Sequence, residues 1–250
     1  MEGTLSRQVA LVTGGSRGIG AATARALAEA GASVIVTHRD SEDGARSVVE
    51  ALPGEGHRYR QASATDSYAL EDLAADVART EGRLDVLVNN AATTRVIPHD
   101  DLRALDDGFF DRVMETNVRG AFATIRAFKD LLAEGDGGVV VNISSLASRM
   151  GNGSNVAYCA SKAALDNMTL SLARALAPKI RVLSVAPGLV DTELSRSWDP
   201  ERKRDMLERT PLGRLATVDD VASAVMAAVV SLPSTTGVSI PVDGGRPLGG

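Results

Sequence analysis

The sequence predicts a single α/β domain built on a doubly wound parallel sheet, with helices covering both faces. Short apolar runs alternate along the chain with segments whose apolar residues recur at spacings of three and four, and the connections are short. A chain of 250 residues with 44% hydrophobic residues can supply one such core, and no linker, repeat or low-complexity segment divides it. We therefore expect residues 1–250 to form one domain.

The alternation defines the order of the elements. The predicted strands are Val9–Val12, Ser33–His38, His57–Ala62, Val86–Val88, Val139–Ile143, Ile180–Val185 and Val238–Val242. The predicted helices span residues 21–30, 42–52, 68–81, 109–132, 157–176 and 217–232. Residues 189–213 carry many charges and show no clean strand pattern.

Composition excludes several classes of partner. A net charge of -5 argues against nucleic acid as a main partner. Cys159 is the single cysteine, so no internal disulfide can form, and a reducing, cytoplasmic location fits. The N-terminus lacks an apolar run of signal-peptide length, and no run approaches the ~18 apolar residues of a membrane span. We expect a cytoplasmic protein without a membrane partner.

A glycine-rich turn, Thr13–Gly20, separates the first strand from the first helix. Glycines let backbone amides approach a phosphate, and the helix N-terminus adds partial positive charge. The spacing is Gly-x3-Gly-x-Gly, which differs from the usual G-x-G-x-x-G dinucleotide fingerprint. Its place after the first strand nevertheless indicates a dinucleotide site.

The same turn also satisfies G-x-S-x-G, the pattern of a hydrolase nucleophile elbow centred on Ser16. An elbow serine needs an oxyanion amide from an earlier loop and a histidine late in the chain. Here 15 residues precede Ser16 and the last histidine is His99. We therefore reject the hydrolase interpretation.

The end of the second strand faces the adenosine ribose in a nucleotide-binding fold of this kind. An acidic residue there would bind the ribose 2′-hydroxyl of NAD, but the chain has His38 followed by Arg39, with Arg17 in the glycine turn. Two guanidiniums suit a 2′-phosphate, which favours NADP(H) over NAD(H). Two alternatives stay open: both arginines are solvated, or Asp40 turns inward and holds a 2′-hydroxyl.

A candidate acid–base pair lies on the fifth predicted helix. Tyr158 and Lys162 are four residues apart, so both side chains lie on one helix face. An ammonium favours the phenolate, and we expect Lys162 to lower the pKa of Tyr158 toward working pH. Ser145 follows the fifth strand, where ligands of open parallel sheets bind.

Several ordered motifs together resemble the short-chain dehydrogenase/reductase family over nearly the whole chain. Ser145 lies 13 residues before Tyr158, and Asn117 lies 41 residues before it, as the family pattern expects. The matching motifs are Thr13–Gly20, Asn89-Asn90-Ala91, Asn117, Ser145, Tyr158-x3-Lys162, Pro187-Gly188 and Val242-Asp243-Gly244-Gly245.

The resemblance implies a Rossmann-type dinucleotide-binding catalytic domain and nicotinamide-linked carbonyl/alcohol chemistry. Tyr158 is the implied proton donor, Lys162 holds the nicotinamide ribose, Ser145 hydrogen-bonds the carbonyl oxygen, and Asn117 supports a proton-relaying water. The implied cofactor-binding residues are Gly14, Ser16, Arg17, Gly18, Ile19, Gly20, His38, Arg39, Ser63, Ala64, Asn90, Ala91, Tyr158, Lys162, Pro187, Gly188, Val190 and Thr192. No metal site is expected.

The chain departs from the family pattern at two positions. Ala92 stands where the family often has glycine, and Ser63 stands where it often has an aspartate that contacts adenine. The second departure puts the adenine contact in doubt, while the catalytic set is intact.

The leading interpretation is NADPH-dependent reduction of a carbonyl to a secondary alcohol. A narrower alternative is a 3-oxoacyl-[acyl-carrier-protein] reductase, for which Arg119, Arg126 and Lys129 could form a basic patch. A third is a cofactor-sensing binding protein without catalysis. The resemblance also implies a homo-oligomer, a tetramer or a dimer, that pairs the helices carrying Asn117 and Tyr158.

The resemblance places the substrate pocket among three segments. These are the residues after Ser145, the loop 93–97 and the variable substrate-loop segment 189–213. Arg149 either binds an anionic group of the substrate or points to solvent. Trp198 either lines the pocket or caps the fold.

Overall fold

The computed structural model describes residues 3–191 and 200–246. Within these ranges, seven strands form one sheet in the order β3-β2-β1-β4-β5-β6-β7, and every neighbouring pair is parallel. The strands are β1 (Val9–Val12), β2 (Ser33–His38), β3 (Arg58–Gln61), β4 (Val86–Asn89), β5 (Gly138–Ile143), β6 (Ile180–Pro187) and β7 (Ser239–Val242). The predicted fold class is confirmed.

Helices connect the strands on both faces of the sheet. They are α1 (Gly18–Glu29), α2 (Glu42–Glu50), α3 (Ser67–Thr80), α4 (Asp107–Met114), α5 (Gly120–Leu132), α6 (Ala147–Met150), α7 (Val156–Leu176), α8 (Pro200–Glu208) and α9 (Val218–Met226). No helix within the described ranges is both long enough and apolar enough to cross a membrane.

The predicted helix over residues 109–132 is continuous but not uniform. A π-helical turn, Glu115–Arg119, joins α4 to α5. Asn117 lies in this turn and is buried. Since π turns insert an extra residue, they re-aim side chains and are frequent at functional sites.

Alternate residues of the strands pack into two separate hydrophobic cores, one on each face of the sheet. In β1, Ala10 and Val12 point to one face and pack with Leu27 of α1, whereas Leu11 points to the other face and packs with Phe128 of α5. This period-2 division is what parallel strands buried on both faces require. It explains the unbroken apolar runs in the sequence.

The strand order creates a crevice at the carboxyl edge of the sheet. The chain runs outward from β1 to β3 on one side and then from β4 to β7 on the other. The connections after β1 and β4 therefore lead to opposite faces, and the gap between them is where open α/β sheets bind ligands. The glycine-rich turn follows β1 at this point.

Candidate active site

Three predicted catalytic residues, Ser145, Tyr158 and Lys162, line one cavity of about 450 Å³. Ser145 lies two residues beyond β5, while Tyr158 and Lys162 occupy the first two turns of α7. Asn155 caps α7: its Oδ1 accepts a hydrogen bond from the Tyr158 backbone N–H at 2.8 Å, and its Nδ2 donates to the Arg95 carbonyl at 2.8 Å. This cap, which the sequence analysis did not single out, fixes the point from which Tyr158 enters the cavity.

The Tyr158 hydroxyl group titrates at a higher pH than a free tyrosine. Burial raises its pKa because the phenolate loses hydration, and a hydrogen bond with the Ser145 side chain offsets part of that rise. The sequence predicts a lowered pKa, and that prediction is wrong for this structure. Lys162 Nζ lies 5.7 Å from the centre of the Tyr158 ring and donates its hydrogen bond elsewhere. Tyr158 is therefore held as the neutral phenol, the form that donates a proton.

Lys162 is almost completely buried, and its Nζ donates to the carbonyl oxygen of Ile143, the last residue of β5, at 2.7 Å. Burial lowers its pKa to about 8, and the charge of Asp166 one turn further along α7 opposes that change. An ammonium has three N–H donors. The bond to Ile143 therefore leaves two donors that could serve a ligand in the cavity.

Asn117 connects the π turn to two other parts of the site. Its Oδ1 accepts a hydrogen bond from the Thr93 N–H at 2.8 Å, and its Nδ2 donates to the Thr93 carbonyl at 3.1 Å and to Ser161 Oγ at 3.0 Å. Ser161 Oγ in turn donates to the Tyr158 carbonyl at 2.8 Å. The side chain thus braces the loop after β4 against α7. Its predicted role in holding a water toward Lys162 stays a prediction.

The glycine-rich turn is tied to the end of β4 by Asn90. Asn90 Nδ2 donates to the carbonyl oxygens of Thr13 at 3.0 Å and Gly14 at 2.9 Å. A Cβ at Gly20 would lie 2.6 Å from both Asn90 Nδ2 and the Gly14 oxygen, and a Cβ at Gly14 would lie 3.0 Å from the Ala91 Cα. The close packing explains why side chains are excluded at these two positions.

The N-terminus of α1 fits the phosphates of a dinucleotide. Gly18 adopts φ +56°, and a Cβ built on it would meet nothing within 4 Å, so the backbone faces open space. The first turn of α1 has no acidic residue and no side-chain cap. The Arg17 side chain is exposed and makes no hydrogen bond or ion pair in the described chain, while Ile19 lines the cavity beside the half-buried Ser16. Uncapped N–H groups and a free guanidinium are what a phosphate needs.

The end of β2 differs from the arrangement expected for a pair of free arginines. Arg39 Nε lies 2.5 Å from Asp40 Oδ2, and both side chains are exposed. His38 is buried beside the Tyr59 ring, with the ring centroids 6.0 Å apart, and its Nδ1 has no hydrogen-bond partner in the described chain. Asp40 therefore neutralises one of the two predicted cations, while Arg17 remains free.

Two further residues predicted to bind the cofactor, Ser63 and Ala64, follow β3. Ser63 Oγ lies 2.9 Å from Thr65 Oγ1 in a short turn before α3. Ala64 is buried, and a Cβ on Gly120 would approach its carbonyl oxygen to 3.0 Å. This packing places both predicted residues at the carboxyl edge of the sheet.

On the other side of the crevice, β6 ends at Pro187, and Gly188 donates its N–H to the Val242 carbonyl at 2.9 Å. Pro187, Gly188 and Val190 all line the catalytic cavity. Val190 also pairs with Ala216 in an isolated parallel bridge. Thr192 lies outside the described residues and stays a prediction.

Comparisons with known proteins agree with this arrangement. A family model described as Enoyl-(Acyl carrier protein) reductase matches residues 14–246. The chain is 38% identical over 245 residues to cis-4-hydroxycyclohexanecarboxylate dehydrogenase of Sinomonas cyclohexanicum, covering 96% of each chain. It is 35% identical over 240 residues to 3-oxoacyl-[acyl-carrier-protein] reductase FabG of Escherichia coli (strain K12), covering 95% of this chain and 96% of the relative.

A crystal structure described as a short-chain dehydrogenase/reductase from Burkholderia xenovorans superposes with a TM-score of 0.90 at 39% identity, covering 97% of this chain and 98% of that one. The chain belongs to the short-chain dehydrogenase/reductase family. It is therefore an oxidoreductase of a family that uses nicotinamide nucleotides. The residues around the glycine-rich turn fit such a nucleotide.

All three segments in which the resemblance places the substrate pocket contribute residues to this cavity of the short-chain dehydrogenase/reductase. Val96, Met150, Asn152, Leu189 and Met206 line the cavity from these segments. Trp198 lies outside the described residues.

Two arginines, Arg149 and Arg246, differ in their relation to the cavity, and Arg149 takes the second of its two predicted arrangements. Arg149 is exposed and does not line the cavity, whereas Arg246 does. The sequence motifs alone did not indicate a role for Arg246. Its signal was an arginine directly after Val242–Gly245, the last motif of the family.

Proposed function

We propose that the enzyme reduces a ketone to a secondary alcohol with NADPH, and that Tyr158 donates the proton. The observation that supports this most directly is the buried phenol of Tyr158, hydrogen-bonded to Ser145 in a cavity that also contains Lys162. The nicotinamide nucleotide, when bound, supplies the hydride. The Tyr158 hydroxyl then delivers its proton to the substrate oxygen as that oxygen gains negative charge.

The other residues act on charge and position in this proposal. Ser145 Oγ donates a hydrogen bond to the substrate oxygen and lowers the free energy of the developing oxyanion. Lys162 Nζ lies 5.7 Å from the centre of the Tyr158 ring, and its N–H donors that are not bound to Ile143 hold the nucleotide ribose. Asn117 holds α7 and the loop after β4 in register through Ser161 and Thr93.

The proposed preference for NADPH rests on Arg17. An exposed guanidinium without a partner beside the glycine-rich turn can pair bidentately with a 2′-phosphate. Arg39 contributes less because Asp40 already pairs with it. An inward turn of Asp40 toward a ribose 2′-hydroxyl is the competing arrangement, and it would favour NADH.

The test is NADPH and NADH consumption across ketones, 3-oxoacyl thioesters, enoyl thioesters, quinones and sugars. The ketones include 4-oxocyclohexanecarboxylate and the 3-oxoacyl thioesters include a carrier-linked chain, because the names of the two relatives mention a hydroxycyclohexanecarboxylate and a 3-oxoacyl-[acyl-carrier-protein]. Tyr158→Phe keeps the ring and removes the proton donor, so we expect its kcat to fall by about 10³-fold. Nucleotide affinity of the variant, measured by fluorescence quenching, serves as the folding control.

Two outcomes would overturn the proposal. If Tyr158→Phe keeps most of the activity, Tyr158 is not the proton donor. If the wild-type protein binds nucleotide but turns over no carbonyl in the panel, the cofactor-sensing alternative replaces the enzyme.

A 3-oxoacyl-[acyl-carrier-protein] reductase is the second candidate, and the similarity to FabG favours it. The predicted basic patch supports it weakly, because Arg119 pairs with Glu115 and Lys129 lies 4.0 Å from Asp130. Arg126 remains exposed and donates to Ser67 Oγ at 3.2 Å. A lower KM for the carrier-linked substrate than for the matching free thioester would establish this candidate.

The proposal includes a cytoplasmic homo-oligomer, a tetramer or a dimer. Phe122 on α5 and Leu170 on α7 are 42% and 44% exposed, and such apolar side chains on two neighbouring helices suit a subunit interface. Light scattering coupled to gel filtration would measure the mass. A monomer at micromolar concentration would contradict this part.

A further inference from the structure

The cavity that contains Tyr158 also contains a cation to which none of the predicted roles refers. Arg246 lines this cavity on the substrate side, directly after the β7 turn. Its Nη1 is buried and has no hydrogen-bond partner in the described chain. Its Nη2 contacts the Sδ atom of Met206 at 2.9 Å, and a thioether is only a weak acceptor.

Nearby charges compensate the Arg246 guanidinium only in part. Asp205, whose charge raises the pKa of Arg246, already pairs with Arg209 at 2.9 Å, and the positive charge of Arg209 lowers that pKa. Burial lowers the pKa of Arg246. The described lining of the cavity includes Lys162 and Arg246 but no aspartate or glutamate. A half-buried guanidinium whose charge is only partly compensated costs stability, so this position favours a ligand that supplies negative charge.

The backbone before Arg246 is built to hold the side chain in place. Gly244 and Gly245 have φ of +65° and +80°, and the Gly245 N–H donates to Asp243 Oδ1 at 2.8 Å. A Cβ at Gly244 would lie 2.6 Å from Thr210 Cγ2. The Arg246 N–H closes the turn on the Asp243 carbonyl at 3.3 Å. The guanidinium therefore projects from a tight turn and not from a free chain end.

We propose that Arg246 binds a carboxylate of the substrate, so that the enzyme acts on oxo acids whose carboxylate lies apart from the reacting carbonyl. This inference rests on the proposed carbonyl reduction and names its substrate class. The planar guanidinium pairs with a carboxylate through two parallel hydrogen bonds, and Nη1 has its donors available. The apolar neighbours Met150, Leu189 and Met206 strengthen such a pair, because a low dielectric weakens screening.

The cavity of about 450 Å³ also includes the predicted nucleotide positions Pro187, Gly188 and Val190, so the part that remains for a substrate suits a small oxo acid. The same guanidinium could pair with the phosphate of a carrier-linked acyl chain, which is the other source of an anion. The two sources differ in where the negative charge sits, and substrates with and without a free carboxylate separate them.

The experiment compares 4-oxocyclohexanecarboxylate with its uncharged methyl ester on the wild-type enzyme and on Arg246→Met, Arg246→Lys and Arg174→Met. Arg174 is exposed in the last turn of α7 and controls for the general loss of a positive charge. We expect Arg246→Met to lower kcat/KM for the acid by about 100-fold, as removal of one partner of a buried charge pair does. The ester should change by less than about 3-fold. Arg246→Lys should recover part of the loss, because it restores charge without the bidentate fork.

A second readout is independent of turnover. Binding of cyclohexanecarboxylate to the wild-type protein with NADP⁺ present, measured by calorimetry, should be lost in Arg246→Met and kept in Arg174→Met. An unfolded Arg246→Met variant would be recognised by a lower melting temperature. In that case the acid and the ester are compared on the wild type and on Arg246→Lys.

Three results would overturn the inference. The first is an equal effect of Arg246→Met on the acid and the ester. The second is a loss of acid turnover in Arg149→Met instead. The third is a loss confined to 3-oxoacyl carrier thioesters, which would assign Arg246 to a phosphate. Turnover of uncharged ketones without any dependence on Arg246 would leave the proposed reductase intact while removing this inference.

Discussion

Asp166 lies one helical turn beyond Lys162 on α7, and its negative charge raises the pKa of a lysine that burial otherwise lowers. Its carboxylate accepts hydrogen bonds from Ser148 Oγ at 2.6 Å and from Ser184 Oγ at 2.8 Å. These bonds link α6, α7 and β6 behind the cavity. Asp166 is thus a positioning residue that sets the charge of Lys162 without lining the cavity.

Replacing Asp166 by Asn should move the pH dependence of reduction. With the carboxylate charge removed, the pKa of Lys162 falls further below about 8, and less of the lysine is charged at slightly alkaline pH. We expect kcat/KM at pH 8 to fall by about 3- to 10-fold, with a smaller change at pH 6. The measurement is a pH profile of kcat/KM from pH 6 to 10.

Ser148→Ala is the matched control, because it removes one hydrogen bond but keeps the Asp166 charge. The alkaline limb of the kcat/KM profile of Ser148→Ala should stay within a few tenths of a pH unit of that of the wild type. If the alkaline limb of the pH profile is unchanged in Asp166→Asn, Asp166 acts only by packing.

Replacing Lys162 by Met should abolish activity and stabilise the protein in the absence of nucleotide. The folded pKa of about 8 lies below the unfolded value of 10.5, so the charged lysine destabilises the fold, and that cost is present in full below pH 8. The difference between the folded and unfolded pKa of Lys162 corresponds to a destabilisation of about 3 kcal/mol, which the variant removes. The variant also loses the hydrogen bond to the Ile143 carbonyl, which costs it about 1 kcal/mol. We expect a net gain of about 1–2 kcal/mol at pH 7.

The sign of this effect can be tested through its pH dependence. As the pH rises from about 8 to 10.5, the folded lysine releases its proton first, so wild-type stability rises relative to the variant. Urea unfolding should give a smaller difference in the free energy of unfolding between wild type and variant at pH 10 than at pH 7. A variant less stable than wild type at pH 7 would contradict the argument.

The residues predicted best from the sequence depend on local periodicity. The spacing of four residues between Tyr158 and Lys162 places both on one helix face, and the apolar run before Ser145 predicts a strand whose end meets that helix. These features depend on the 3.6-residue and two-residue repeats of helices and strands. In the structure these three residues line one cavity, and their catalytic roles stay predictions.

The features that the sequence missed depend on contacts far apart in the chain. Whether Tyr158 has a raised or lowered pKa depends on burial and on the turn of Lys162 toward Ile143, and no spacing rule encodes either. The placement of Arg246 in the cavity depends on a turn packed against Thr210. The π turn at Asn117 inserts a residue within a continuous helical segment, whereas the sequence predicts one uniform helix over residues 109–132.

Substitutions in the glycine-rich turn should separate stability from nucleotide binding. Gly20→Ala places a Cβ 2.6 Å from Asn90 Nδ2, and we expect a loss of about 2 kcal/mol in the free energy of unfolding. Gly18→Ala meets open space and strains only its backbone at φ +56°, at a cost of about 1 kcal/mol. Its Cβ would project toward the proposed phosphates, so nucleotide affinity should fall. Urea unfolding and fluorescence titration measure the two effects, and equal losses of affinity and stability in both variants would contradict the assignment.

The choice of nucleotide should depend on Arg17 more than on Arg39. Arg17 has no partner in the described chain, whereas Arg39 pairs with Asp40 at 2.5 Å. We expect Arg17→Met to lower kcat/KM with NADPH by about 10-fold and to leave NADH nearly unchanged, since an exposed pair with a phosphate is partly screened. Steady-state kinetics with both nucleotides, at low and high salt, provide the comparison.

Replacing Asp40 by Asn is the complementary change, because it frees the Arg39 guanidinium and removes the one carboxylate beside it. If Asp40 opposes a 2′-phosphate, the variant should prefer NADPH more strongly than wild type, and high salt should reduce the gain. If Asp40 instead holds a ribose 2′-hydroxyl, the variant should lose kcat/KM with NADH. The second result, together with an unaffected NADPH rate in Arg17→Met, would assign the enzyme to NADH.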